Sequence, residues 1–410
     1  MTDLADEVLP LIRTRAELWR RRASQHGRQM DHAVDILEAA AGVADAKEVY
    51  NVTTRAIASA CSVISRADDS DGVMGTACRR LIDLHPRAAA IARPDPRRLV
   101  DWMIKFQFHG VVDYFDIDVA AYAEALGETG VRLYREALAE IAGGLGDEPA
   151  PTDRWRSAHS HEWWVIQYNR QRLAVLDKDV EAIIATHWCG GRVAAQYEAV
   201  AKALAEIGEF DLAIDWARRG AMEGPGPGFQ AAQCAGLWRS LVADHNPGQA
   251  LDVGVQVFAR WPTAENATVL RDAAEDRWPE YRDGVMAALS TDARQAVIFA
   301  MGGLKDVDLA WELAHELGLG DGRLWSDLAK QYERIDPLAT LSVHRQLVEG
   351  ALGEADATQY RLAARRLVTM RRLAAGTAKA DQIDAYIAEL RETHRRRPRL
   401  QREFDKAGLP

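Results

Sequence analysis

The sequence predicts an all-α chain, with an N-terminal helical bundle followed by an α-solenoid of helix-turn-helix repeats. Three observations lead there. Apolar residues recur at helical rather than alternating spacing. The breaks between apolar segments are short and polar. A seven-residue pattern returns several times in the second half. With 410 residues the chain exceeds what one ordinary core supports, so two or three domains or one elongated array is expected. An apolar share of 48% is ample for burial and excludes global disorder.

Taken in order, the first residues through Arg22 read as an amphipathic helix. They lack the long apolar core and small-residue cleavage site of a signal peptide. From Asp31 to Ile64, Val34, Ile36, Leu37, Val43, Val49 and Ile57 fall at helical spacing, with alanines between them. Asp68-Asp69-Ser70-Asp71-Gly72 is a break. Arg93-Pro94-Asp95-Pro96 is another, with Asp95 placed as an N-cap and Pro96 at the first helical position. The stretch from Gly143 to Pro151 is richest in helix breakers and is the expected boundary between two halves. The expected organisation is a bundle over 1–148, repeats over 149–350 and a basic helical cap over 351–410. No apolar run approaches the ~18 residues of a membrane span.

The repeats are read from Tyr197 to Ala217, YEAVAKALAEIGEFDLAIDWA, where a helix ends at Gly208 and Phe210 and Ala213 follow. Small residues sit where paired helices touch, glycine permits the turn, and an aromatic fills the groove. DLAIDWA (Asp211 to Ala217) returns as DLAWELA (Asp308 to Ala314), with weaker echoes elsewhere. The small anchors are Ala182, Ala213, Ala250, Gly284, Ala310 and Ala339, spaced 26 to 37 residues apart. A tetratricopeptide unit is about 34 residues, so the array is expected to be tetratricopeptide-like and degenerate.

Several pieces carry a resemblance: ADDSDGV (Ala67 to Val73), LIDLHPRAAAIARPDPRRLVDWM (Leu81 to Met103), YAEALGETGVRLYREAL (Tyr122 to Leu138), EIGEFDLAIDWARRG (Glu206 to Gly220) and IAELRETHRRRPRLQREFDKAGL (Ile387 to Leu409). They resemble the C-terminal helical region, a domain of unknown function, carried by actinobacterial SWIM zinc-finger proteins. The resemblance implies fold rather than activity. A SWIM finger needs a Cys-x-Cys pair and a Cys-x-His pair. This chain has neither, so the zinc and DNA-binding roles of that finger do not transfer.

Metal chemistry finds weak footing. With Gly72 at the sixth position of a calcium loop, Ala67 and Cys78 would stand where carboxylates are required, so the break reads as a turn capping the next helix. His159, His161, His187 and Cys189 are the nearest approach to a zinc set. Each pair is two apart, a spacing that diverges on a helix, and the surroundings read as helix. No metal or cofactor is expected. Cys61, Cys78, Cys189 and Cys234 form no CxxC pair and read as reduced core thiols in a cytoplasmic protein. Nucleophile-elbow, phosphate-loop and dinucleotide motifs are missing. In Gly224-Pro225-Gly226-Pro227-Gly228 the prolines remove the N–H groups a phosphate cradle needs, so it reads as a linker. Ten of the twelve tryptophans lie beyond residue 150 and are read as repeat packing rather than a recognition groove.

Charge supplies the strongest functional signal. The chain carries −10, yet Tyr360 to Lys406 carries +7, leaving −17 for the remainder. Arg391, Arg395, Arg396, Arg397, Arg399 and Arg402 are the candidate binding residues for a nucleic acid or an acidic partner. The expected function is a non-catalytic helical scaffold that holds a protein partner on its concave surface. The alternative is a nucleic-acid-associated accessory protein using the arginine-rich end. A third reading is an enzyme with a site between the halves, supported only by a surplus of Asp, Glu and His.

Overall fold

A computed structural model describes residues 3–151, 153–188, 193–223, 228–354 and 356–410. It is all-α. Among the described residues there is no strand, only an isolated parallel bridge between Leu18 and Ala67. None of the described helices is long and apolar enough to cross a membrane. The chain divides into two compact units, Met1–Pro225 and Gly226–Pro410. The stretch at 143–151, where the sequence places a boundary, lies inside the first unit.

The first unit holds α1 (Leu4–Ile12), α2 (Arg21–Ala40), α3 (Ala46–Ile64), α4 (Val73–Ala92), α5 (Pro96–His109), α6 (Ala123–Gly144), α7 (Ser160–Leu176), α8 (Val180–His187), α9 (Ala194–Glu206) and α10 (Phe210–Met222). Helices α1 to α4 close around Val8, Ile12, Met30, Leu37, Ile57 and Leu81. Helices α4 to α7 close around Leu99, Met103, Tyr122, Tyr134 and Leu173. The expected cap is present: the Asp95 carboxylate accepts from the Arg98 N–H at 3.0 Å, and Pro96 opens α5. Asp69 caps α4 by accepting from the N–H groups of Met74 and Gly75, each at 2.8 Å. The acidic break is thus a turn serving the following helix.

The second unit holds α11 (Phe229–His245), α12 (Ala250–Arg260), α13 (Ala264–Ala274), α14 (Trp278–Leu289), α15 (Ala293–Ile298), α16 (Val307–Glu316), α17 (Gly322–Tyr332), α18 (Thr340–Gly353), α19 (Ala357–Ala374), α20 (Ala380–Thr393) and α21 (Pro398–Lys406). Sequential helices pack on one another, α12 on α13, α15 on α16, α16 on α17 and α18 on α19. One core surrounds Leu289, Phe299, Ala310 and Leu328, and a second surrounds Val348, Leu367, Ile387, Leu400 and Phe404. A short π-helical turn, Phe299–Gly303, folds the Phe299 ring back over Gly303. A Cβ there would collide with that ring, so only glycine fits.

The repeat anchors fare unequally. Helices α9 and α10 form a hairpin whose turn places Gly208 at φ +89°, a conformation that favours glycine. Ala213 of α10 and Ala310 of α16 are fully buried. Gly284 is exposed with open space around it, and Ala182, Ala250 and Ala339 are only half-buried. The aromatics pack locally. Trp188, Tyr197 and Trp216 cluster with ring centroids 4.8 to 5.6 Å apart, and Trp311 stacks on Tyr332 at 4.2 Å. Trp155 and Trp164 stand exposed.

Candidate functional site, a groove in the second unit

Helices α17, α18 and α19 enclose a groove of about 920 Å³. Each wall follows from local chemistry. Asp321 opens α17 by accepting from the N–H groups of Arg323 and Leu324 at 2.9 and 3.1 Å, and it also receives Arg294 at 3.0 Å. The backbone bond from Leu324, then Arg294, holds its carboxyl below the usual range. The buried Trp325 donates its indole N–H to the Leu319 carbonyl at 2.7 Å, fixing the turn that leads into α17. Asp356 caps α19 through Thr358 and Gln359. Trp325, Leu347 and Ala351 give the groove apolar walls. Leu362 also lines it, and Gly350 in the lining has open space where a side chain would stand.

Arg366 of α19 enters this groove. It lies one turn from Ala363 and Met370 on the buried stripe of its helix, so its stem is drawn inward. One terminal nitrogen donates to the Ser326 hydroxyl at 3.1 Å. Its Nε is buried with no acceptor, and no described carboxylate lies within ion-pair distance. Burial alone pushes its pKa down. Glu333, at the C-terminal end of α17, is already engaged, receiving His344 at 3.3 Å and Arg372 at 2.8 Å. His344 is buried, its Nδ1 has no partner, and burial pushes its pKa down, with Arg366 and Arg372 adding to that and Glu333 opposing it. The Ser326 hydroxyl faces a cation that cannot accept a proton, so it is not activated as a nucleophile. The arrangement is suited to receive an anionic group.

The six arginines singled out from sequence separate into two sets. Arg391 is an internal tie. It donates to Gln401 at 3.0 Å, Asp405 at 2.8 Å and the Leu409 and Pro410 carbonyls, and it lies over the Phe404 ring. Arg397 donates to the Leu352 carbonyl at 2.6 Å, satisfying the end of α18. Arg395 pairs with Glu392 on the surface. Arg396, Arg399 and Arg402 are exposed and make no hydrogen bond or ion pair among the described residues. Burial of Leu400 and Phe404, about 1.5–3 kcal/mol each, fastens α21 to the core. Beside α21, Arg361 and Arg365 of α19 and Lys406 line a shallow groove of about 350 Å³, with Glu403 on its edge.

The metal candidates are dispersed. His161 bonds the Gln107 carbonyl at 3.0 Å, His187 bonds the Ile183 carbonyl at 2.8 Å, and His159 lies 3.7 Å from Glu162. Cys189 falls outside the described residues, as do residues 224–227 of the glycine-proline segment. Among the described residues no three His, Cys, Asp or Glu side chains converge as a metal set would. Cys61, Cys78 and Cys234 are buried, and burial pushes the Cys61 thiol up to about 11.

Sequence reading missed Arg366. In RLAARRLVTMRR it is one arginine of five, and only helical phase separates it from the exposed Arg365. No curated protein matches the chain. No solved structure matches it either. A family model does match, over residues 4–400, which takes in both units. The chain therefore belongs to that family, a family of unknown function (DUF6880).

Proposed function

We propose that the chain is a non-catalytic helical-repeat scaffold of the cytoplasm that binds a protein partner, and that the α17–α19 groove is where the partner is held. The observation that carries the reading is the groove itself, open and lined by both apolar and polar side chains, with a half-buried arginine that no described residue neutralises. Concave sites with apolar walls and a few convergent polar groups are the usual form of a binding site. The packing of sequential helices on one another, α9 on α10, α12 on α13 and α18 on α19, supports the solenoid part of the reading. The resemblance to the helical region of SWIM zinc-finger proteins makes the chain, on this reading, a fingerless counterpart of that region. The test is affinity purification from the native host with the wild-type chain and with Gly350→Phe, which places a ring in the open groove. A protein captured by the first and lost with the second, with or without nuclease, is expected. If no captured protein responds to Gly350→Phe, the groove is not the binding site.

A second reading has its own observation. Arg361, Arg365 and Lys406 line the shallow groove, Lys406 pairing there with Glu403 at 3.0 Å, and Arg399 and Arg402 of α21 are exposed, cations that can meet phosphates. On that reading duplex or single-stranded nucleic acid binds without sequence preference and with a steep salt dependence. Arg399→Ala with Arg402→Ala then lowers the salt slope by about one for each phosphate no longer neutralised. Binding weaker than about 10⁻⁴ M for DNA and RNA alike sinks it.

A further inference from the structure

The geometry points to the occupant of the α17–α19 groove: a peptide segment of the partner protein that places a single carboxylate against Arg366, between apolar side chains. The inference rests on the groove being the binding site. It begins with charge. Among the described arginines of α18, α19 and α20, Arg345 pairs with Glu349 at 3.0 Å, Arg371 with Asp384 at 2.7 Å, Arg372 with Glu333 at 2.8 Å and Arg391 with Asp405 at 2.8 Å, and Arg361 and Arg365 stand exposed to solvent, whereas Arg366 is half-buried without an acid. Arg366 has a buried stem and a neutral hydroxyl for company. A guanidinium offers five N–H donors in a planar fork. A carboxylate accepts two of them in parallel, and the terminal nitrogens of Arg366, one of which meets only the Ser326 hydroxyl, have no described carboxylate to receive them.

The walls narrow the class further. Asp327 and Glu354 line the same groove, are exposed, and make no ion pair among the described residues. They repel an acidic run or a phosphate backbone, whereas one carboxylate reaching Arg366 is drawn in. Leu347, Leu362 and Trp325 offer apolar surface on either side. Gln346 and Gln359 at the edge carry amides that can both donate to and accept from a peptide backbone. The volume, about 920 Å³, lies at the upper end of ordinary small-ligand sites and has room for several residues.

The experiment selects binders of the full chain from a library of random displayed peptides. Each selected peptide is then remade with its Asp or Glu as Asn or Gln, and with its terminal carboxylate as the amide. Affinities are measured against the wild type, Arg366→Gln, Arg366→Lys and Gly350→Phe. Binders are expected to carry a carboxylate whose neutralisation weakens binding about tenfold or more. Arg366→Gln should produce the same loss, and the neutralised peptide should lose nothing further on that variant. Arg366→Lys, which keeps charge without the fork, should fall between. Should Gly350→Phe abolish binding while Arg366→Gln and the neutralised peptides bind as the wild type does, the carboxylate is refuted and the groove survives. Failure to select any peptide, or binding that ignores Gly350→Phe, overturns both.

Discussion

Arg154 and Arg172 of the first unit and Arg366 of the second all draw their stems out of water, and they differ in what receives the charge. Arg154 is held by Glu148 at 2.8 Å and by Gln167 at 3.2 Å, although its Nε, like that of Arg366, is buried without an acceptor. Arg172 is bracketed by Asp118 at 2.7 Å and Glu206 at 2.5 Å, with its pKa raised by both. Arg366 meets only a serine hydroxyl. The buried neutral groups divide less cleanly, since Gln196 of the first unit keeps an unpartnered side-chain oxygen. In the first unit Gln107, Tyr134 and Asn169 close a ring of three hydrogen bonds at 2.7 to 2.8 Å, tying α5, α6 and α7 together. His85 is satisfied at both nitrogens, by Thr54 and Tyr122, each at 2.8 Å. In the second unit His344 keeps an orphaned nitrogen. A polar group closed on its own chain stabilises and specifies the fold. A cation left open beside a groove is available to something else.

Breaking the closed ring should have the largest effect. Asn169→Leu keeps approximate volume but takes the acceptor from the Tyr134 O–H and the donor from the Gln107 side-chain oxygen Oε1, both residues being buried. Two orphaned groups at about 1–3 kcal/mol each give a loss of roughly 2–6 kcal/mol. Urea unfolding followed by far-UV circular dichroism measures it, and hydrogen exchange should place the loosening in α5 to α7. A loss under about 1 kcal/mol would show that the ring is incidental.

Acid should sharpen the comparison next. The folded His85 has a pKa of about 3, against an ordinary 6.5, because burial disfavours the imidazolium. Thr54 donates to the Tyr50 carbonyl, so Nε2 of His85 donates to Thr54 and Nδ1 accepts from Tyr122, which fixes a neutral ring. The folded pKa lies below the unfolded one, so the unfolded chain takes the proton first as pH falls. The stabilisation is complete above 6.5 and is lost as pH drops toward 3. At pH 5 the loss is about 2 kcal/mol. His187 and His344, whose pKa values burial also lowers, add to the same trend. His85→Gln should flatten the dependence of unfolding free energy on pH between 6.5 and 4.5. An unchanged slope would remove His85 from the account.

Parts of this were readable in the sequence and parts were not, for physical reasons. Helical class followed from the spacing of residues such as Val34, Leu37 and Ile57, because helix packing imposes that period directly. Asp95 as a cap was readable because capping is local. Ala213 and Ala310 were recognisable as buried small residues, whereas Gly284, placed in the same pattern, faces solvent. A short motif does not say which face its helix buries. Arg391 and Arg397 were among the six candidate binding arginines, yet besides Asp405 and Gln401 for Arg391 their acceptors are the Leu409, Pro410 and Leu352 carbonyls. Backbone acceptors leave no trace in composition. The large groove was the least legible, since it depends on how three helices meet around Gly350 and on an arginine that lacks a partner.

The smallest expected effect is the one that tests the contrast itself. Arg154→Met strands Gln167 and removes one of two cations from Glu148, so a loss of about 2 kcal/mol is expected. Arg366→Met removes a cation that no carboxylate offsets. It costs one hydrogen bond to Ser326, about 1 kcal/mol, and relieves the desolvation of the charge. Replacing an ill-matched buried charge by an apolar side chain of similar length is often neutral or stabilising. Unfolding free energies should therefore separate the two variants, with Arg366→Met within about 1 kcal/mol of wild type and on either side of it. A ligand that binds only the folded chain raises stability by RT ln(1 + [L]/Kd). A groove peptide bearing a carboxylate should thus stabilise wild type and Arg154→Met alike, and Arg366→Met far less. If Arg366→Met instead unfolds the second unit as readily as Arg154→Met unfolds the first, Arg366 belongs to the fold's own support and the contrast with Arg154 fails.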